Sequence, residues 1–335
     1  AGLSGYELSG VKPNPEIPLA MQGARLCREG GMDLIIAAGG GSVIDTAKVI
    51  AGSAFYQGNP WNLVKGRVQI SKALPILAVP TMAATGSEMN SCAVITNPDT
   101  HEKYGWACEA LRPKVSFLAP ENTYTVSPYQ TACGSADMLS HILEVYLNRE
   151  EGFDSMDGFM ESLMRSVIRH APVAMKEPEN AEARANLLWD SEWAINDLID
   201  CGHSISWSCH GMEHELSAFY DIPHGHGLAI LTPVYMKYVL SRETAPRLVR
   251  FAVNVMGVKE KKDIEKTARK GIHRLARFFR KELSLPLSLS SLAIDSSCFE
   301  DMAENAVRWK GKDGMIQGFV PLSKEDIVKI YEKSL

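Results

Sequence analysis

The sequence predicts an α/β domain with a Rossmann-like, doubly wound parallel sheet over residues 1–126, followed by an all-α domain over 127–335. Three observations carry this. Short apolar runs in the first third each deliver a glycine- or hydroxyl-rich loop, the pattern of parallel strands feeding helix N-termini. From Ser127 onward the texture changes to helical periodicity, interrupted by breaks such as Glu177-Pro178-Glu179-Asn180. Four of the nine histidines also crowd between Cys209 and Ile230, which concentrates titratable groups in the helical half.

In chain order, the Pro/Asn cluster at 10–15 reads as a loop and 17–29 as a helix. Residues 32–38 (MDLIIAA) suit a buried parallel strand. Gly39, Gly40, Gly41 and Ser42 follow, then a helix over 43–52, with Ser42 and Asp45 in a capping-box pattern. Strand, glycine loop and helix N-terminus form a cradle in which bare N–H groups and the helix dipole favour an anion. Ile44 replaces the last glycine of G-x-G-x-x-G, and no Gly-Lys-Ser/Thr follows, so neither standard phosphate motif is met. A second strand over 74–79 delivers a hydroxyl-rich loop, Pro80 to Glu88, and two such loops at consecutive strand ends suit a dinucleotide. Residues 93–97 read as a hairpin arm leading to Lys103, and 115–119 as the last strand. Helices are expected near 128–147, 155–175, 180–198, 202–219, 226–240, 243–255, 261–282, 296–306 and 323–333.

Composition narrows the class. With 45% hydrophobic and 22% charged residues over 335 positions, the chain reads as a globular protein with room for two domains. A formal charge of −5 gives no reason to expect nucleic acid or an acidic membrane surface as partner. No apolar run reaches the length of a membrane span, and no secretory segment opens the chain. Seven scattered cysteines without a C-x-x-C pair point to reduced thiols and a cytoplasmic setting.

The helical half holds the reactive constellation. His210 and His214 lie four apart on one helix face, as do Asp137 and His141 on an earlier helix. Pro223 ends the later helix at or before Ile222, so His224 falls on a new segment, with Gly225 and Gly227 free to turn. One carboxylate and up to three imidazoles suit iron, zinc, cobalt, nickel or manganese, and suit calcium poorly. Glu213 and Glu215 read as packing or solvent groups. A nucleotide cradle in one domain and a metal in the other put the reaction in the cleft between them.

With those stretches in view, the chain resembles the iron-containing (group III) alcohol dehydrogenases of dehydroquinate synthase-like architecture, and within them the NADPH-dependent butanol dehydrogenase branch. The resemblance rests on GVKPNP (10–15), GGGSVIDTAK (39–48), ATGSE (84–88), EKYG (102–105), GSADMLSHILEVY (134–146) and the segment 209–230. It implies metal ligation of Fe2+ or Zn2+ by Asp137, His141, His210 and His224, with His214 beside the nicotinamide. It implies diphosphate binding at Gly40, Gly41 and Ser42 and further dinucleotide contacts from Thr81, Thr85, Ser87 and Lys103. Ser9 stands where NAD-preferring relatives carry Asp against the adenosine ribose, so NADP(H) is expected ahead of NAD(H), with Lys12 as a candidate cationic partner. The implied reaction is hydride transfer between NADP(H) and a small to medium-chain alcohol or aldehyde. A Lewis-acidic ion would stabilise charge on the substrate oxygen and His214 would relay the proton. A homodimer is also implied.

Three departures qualify the resemblance. Relatives carry a further N-terminal strand and glycine loop, so an alternative is a truncated, non-catalytic binder of metal or nucleotide. Ala119 and Ser206 stand where relatives often carry Asp, though neither is a ligand position. A dehydroquinate synthase-like lyase is the remaining alternative, and it would call for more Lys and Arg around the metal.

Overall fold

The computed structural model describes residues 5–203, 205 and 207–335. Helix α1 (Ile17–Gly30) has Pro18 in its first turn and stops at Gly31, whose φ of 61° is the left-handed cap that glycine favours. There follow β1 (Ile35–Gly39), α2 (Gly41–Ser53), the single turn α3 (Trp61–Val64) and β2 (Ile76–Pro80). The hairpin β3 (Cys92–Asn97) and β4 (Glu102–Ala107) comes next, then the short β5 (Val115–Ser116). β1, β2 and β5 form a parallel sheet in that order, with Ile35 opposite Ile76 and Leu77 opposite Val115. β3 and β4 pair antiparallel, and Asn97 faces Glu102 across the turn.

Two expectations change here. β1 is an edge strand among the described residues, so Ile36 is 61% exposed where a strand buried on both faces was expected. The Ser42–Asp45 capping box does not form. α2 starts at Gly41 with Gly40 as N-cap and no side-chain cap, because Asp45 turns inward to accept from Ser87 Oγ (2.6 Å) and the Val94 N–H (3.0 Å).

The second half contains α4 (Pro128–Tyr146), α5 (Asp154–Lys176), α6 (Ala181–Trp193), α7 (Ser208–Tyr220), α8 (His224–Tyr238), α9 (Ala245–Asn254), α10 (Ile264–Arg277), α11 (Phe299–Lys310) and α12 (Lys324–Glu332). Their starts follow the sequence: Ser127, Asn180, Asp263 and Ser323 each accept a backbone N–H from the first turn. α7 begins at Ser208, later than expected, and ends at Asp221 in a left-handed conformation ahead of Pro223. The half is not wholly helical, since β6 (Gly311–Lys312) and β7 (Met315–Ile316) make a small hairpin. One large apolar core fills these helices, while two smaller clusters lie on either side of α2 in the first half. No helix of the described residues is long and apolar enough to cross a membrane.

Close contacts join the halves. A Cβ at Gly134 of α4 would lie 2.4 Å from Ala83 O, and one at Gly86 would lie 2.4 Å from Ser191 O of α6. The loop after β2 therefore packs directly on two helices. Asn14 donates to Asp221 Oδ1 (2.7 Å) and accepts from Lys103 Nζ (2.9 Å), and Arg112 reaches Asp197 (2.6 Å).

Candidate metal centre and phosphate cradle

Two helices and the start of a third bring the polar groups together. α4 supplies Asp137 and His141 one turn apart, and α7 supplies His210 and His214 in the same relation. His224 is the first residue of α8. Gly225 and Gly227 are helical, not turn residues, and each is required by close packing: a Cβ at 225 would lie 2.0 Å from Cys133 O, and one at 227 would lie 2.7 Å from Glu213. The glycines press α8 onto α4 and α7 and so carry His224 to the cluster.

Three imidazoles converge on one carboxylate oxygen. The Nε2 atoms of His141, His210 and His224 lie 3.4, 3.6 and 3.6 Å from Asp137 Oδ1. Asp137 Oδ1 and His210 Nε2 are buried without a hydrogen-bond partner. Ligand atoms of Asp137, His141 and His210 all lie within 4.8 Å of one another. Three buried groups and the half-buried His224, with polar atoms spaced wider than good hydrogen bonds around one point, fit a cation between them. His214 is adjacent but apart: its ring centroid is 5.4 Å from that of His224 and 6.2 Å from that of His210.

Electrostatics act unequally on the four groups. Burial alone would raise the Asp137 carboxyl, but the facing His141, His210 and His224 outweigh it and hold it well below the usual range. Burial pushes His141 down to about 4 against the pull of Asp137. It holds His224 well below the usual histidine range, helped by the positive charge of Lys103. His210 moves the other way, up to about 9, because the Glu144 and Asp137 carboxylates overcome its burial.

Several participants were not legible as such. His210 Nδ1 meets Glu144 Oε2, and His224 Nδ1 meets Glu213 Oε2. Glu213 was expected to serve packing or solvent; it is fully buried, and its other oxygen accepts from Ser217 Oγ at 2.5 Å. Glu215 is buried as well. Trp207 stands edge-on to His210 (5.1 Å) and His141 (6.0 Å), walling the cluster with an aromatic ring. The position of Ser206 lies outside the described residues.

The cradle lies in the first half of the chain, at the start of α2. Gly40 caps α2 with extended backbone and no side chain intervenes, which leaves first-turn N–H groups for an anion. A Cβ at Gly40 would meet nothing nearer than Met82 Cβ at 3.8 Å, whereas one at Gly41 would lie 2.2 Å from Thr85 Oγ1. Gly41 is thus required by the protein's own packing, and Gly40 is not. Ser42 is the second residue of the helix, and the Thr81 N–H pairs with Gly39 O at 3.0 Å, which ties the two loops together. Ser87 donates its hydroxyl to Asp45, and that bond braces the loop. Lys103 is buried on β4 and lowered to about 8 by burial, with Asp137 and Asp45 pulling the other way. Ser9 is exposed, and Lys12 pairs with Glu16 at 2.8 Å.

Comparison with known proteins places this geometry. Residues 1–120 match the family described as iron-containing alcohol dehydrogenase, and 131–335 match the C-terminal part of the Fe-containing alcohol dehydrogenase family. The chain is 45% identical over 329 residues to NADH-dependent butanol dehydrogenase A of Clostridium acetobutylicum, covering 98% of this chain and 84% of that protein. It is 34% identical over 299 residues to the NADPH-dependent aldehyde reductase YqhD of Escherichia coli, covering 88% and 76%. The crystal structure of NADH-dependent butanol dehydrogenase A from Thermotoga maritima aligns with a TM-score of 0.93 at 36% identity, over 98% of this chain and 83% of that one. In sequence and in fold this chain belongs to the iron-containing alcohol dehydrogenase family, and it is a metal-dependent alcohol dehydrogenase and aldehyde reductase that uses a nicotinamide cofactor.

Proposed function

We propose that Asp137, His141, His210 and His224 hold one divalent ion, Fe2+ or Zn2+, and that the enzyme interconverts small to medium-chain alcohols and aldehydes with NADP(H). The observation that carries this reading is the convergence of three Nε2 atoms on the unpartnered Asp137 Oδ1. When bound, the ion supplies Lewis acidity to the substrate oxygen and the nicotinamide exchanges hydride with the carbinol carbon. The protein's share is to bind, orient and screen. Gly40, Gly41 and Ser42 take the diphosphate at the start of α2, and Thr81 and Thr85 flank it from the loop after β2. Lys103, held by Asn14 between β4 and the α7–α8 junction, faces the cofactor's inner end. Trp207 and the buried helix faces exclude water. His214, one turn from His210 and outside the converging set, moves the alcohol proton toward solvent.

Coenzyme choice rests on position 9. Among relatives, the butanol dehydrogenases are named NADH-dependent and YqhD NADPH-dependent, so both choices occur in the family. Here Ser9 leaves no carboxylate against a 2′-phosphate. Lys12 adds little, because Glu16 already neutralises it. The seven free cysteines support a reducing, cytoplasmic setting. The reading includes a homodimer and two domains meeting near residue 126.

Metal analysis of anaerobically purified protein, run beside an NADPH fluorescence titration and an aldehyde panel, tests the proposal. One equivalent of iron or zinc, saturable NADPH binding and aldehyde turnover are expected. A metal-free chain that still reduces aldehydes would overturn the ligand assignment.

A further inference from the structure

Two carboxylates outside the ligand set, Glu144 and Glu213, are buried in an unusual electrostatic position. Glu144 is 9% exposed and Glu213 is 0% exposed, yet among the described residues neither meets a lysine or arginine. Each has an imidazole as its ionic neighbour: Glu144 on α4 meets Nδ1 of His210 on α7, and Glu213 on α7 meets Nδ1 of His224 on α8. A buried carboxylate without a cation is costly, so positive charge has to reach both through these rings.

Both carboxylates are fixed from behind. Glu144 also accepts the backbone N–H of Cys209 (2.5 Å) and of His210 (3.3 Å), so it caps the start of α7 while holding the side chain of that helix's third residue. Glu213 accepts from Ser217 Oγ (2.5 Å), and Gly227 gives it room: a Cβ there would lie 2.7 Å from both its Cγ and its Oε1. With Nδ1 of each ring facing a carboxylate, Nε2 is the atom that each ring turns to the centre. His141 differs. Its Nδ1 is buried without a partner among the described residues, and its ring is held by stacking on His210 (4.7 Å, 14°) and by the edge of Trp207.

We propose that Glu144 and Glu213 are positioning residues that fix the tautomer and orientation of His210 and His224 and so set the metal affinity of the site. The inference rests on the metal reading above and adds two residues that do not touch the ion. Three carboxylates, counting Asp137, then surround one divalent ion, and the excess negative charge strengthens the donor imidazoles. The two should differ in weight. Every contact of Glu144 is with an N–H donor, so an amide NH2 at that position must face another donor. At 213 an amide could donate to Ser217 Oγ, whose hydroxyl already reaches Ile222 O at 3.3 Å, and still accept from His224.

The test is Co2+ binding by the full chain, read by chelator competition, by the visible d–d spectrum and by the metal-induced rise in Tm. Glu144→Gln is expected to weaken Co2+ by about 100-fold and Glu213→Gln by about 10-fold, the range for outer-shell partners of ligating histidines. Both should shift the d–d bands and shrink the metal-induced Tm rise, while the Tm of the metal-free chain changes little. Ser217→Ala, which leaves both carboxylates in place, should weaken Co2+ in the same direction by a smaller factor, and it answers for Glu213 if Glu213→Gln does not fold. Wild-type chain that binds no Co2+ would overturn the metal reading and this inference with it. Wild-type binding with unchanged affinity and spectrum in the variants would overturn this inference alone, as would a loss of metal-free Tm that accounts for the whole effect.

Discussion

The metal cluster is built from side chains and the cradle at the start of α2 from backbone, and the two differ in how far the protein's own packing explains them. At the cluster, Asp137 Oδ1 and His210 Nε2 are buried and unpartnered, so the folded chain bears a cost that an added ion relieves. At the cradle the situation is divided between neighbouring residues. Gly41 is demanded by Thr85, 2.2 Å from where a Cβ would stand, whereas a Cβ at Gly40 would make only an ordinary contact with Met82 at 3.8 Å. Ligand demand therefore shows in the cluster as unsatisfied atoms and in the cradle as room that nothing fills.

The largest effects should come from the cluster. Alanine at Asp137, His141, His210 or His224 should remove the metal and lower kcat/KM for aldehyde reduction by roughly 10³-fold, the scale of lost electrostatic stabilisation. His214→Ala should keep a full equivalent of metal and lose about 10²-fold in kcat, as expected for a proton-transfer group. Loss of metal from His214→Ala, or retention by His224→Ala, would redraw the ligand set. Metal content by elemental analysis and steady-state kinetics decide between them.

The cradle offers a sharper test at Gly40 than at Gly41. Gly40→Val has space within the protein, so a rise in NADPH Kd of about tenfold, ~1.4 kcal/mol, would report the missing ligand alone. Gly41→Val disturbs Thr85 as well and should lose stability along with affinity. NADPH binding unchanged in Gly40→Val would reduce the glycine loop to a turn. At the outer end of the cofactor site, Ser9→Asp should shift the ratio of kcat/KM values about tenfold toward NADH. Equal ratios before and after would remove position 9 from coenzyme choice.

The smallest effect concerns stability. Glu192 of α6, fully buried against Glu88, is raised to about 10 by burial and then by that neighbour, with Lys48 opposing. A carboxyl whose folded pKa lies above its unfolded value near 4.5 binds protons preferentially in the native state. Its contribution is therefore present in acid and is lost as pH rises from about 4.5 toward 10. Glu192→Gln should raise Tm by a few degrees at pH 8 and change it little at pH 5. A gain of equal size at both would assign the effect to packing.

Much of this was readable in the sequence because it is local. Asp137/His141 and His210/His214 repeat at helical spacing, and Pro223 announces that His224 starts afresh, so the shared face of each pair follows from helix geometry. Among the described residues, the nine α-helices of the second half fall close to where periodicity places them. What escaped is tertiary. Glu144 lies three residues after His141 but serves His210 on another helix, and Glu213 lies three residues after His210 but serves His224. No spacing rule within one segment pairs them. The same limit explains Asp45, which matched a capping box and instead serves Ser87 and Val94 across the domain.

The central claim is tested most directly by crystals of the metal-loaded enzyme, with anomalous diffraction recorded at the zinc or iron edge. A single strong peak is predicted, bonded to Asp137 and to Nε2 of His141, His210 and His224 at about 2.0–2.2 Å, with His214 outside the coordination sphere. A peak ligated by His214 in place of His224, or absent from this cluster and present elsewhere, would contradict the account.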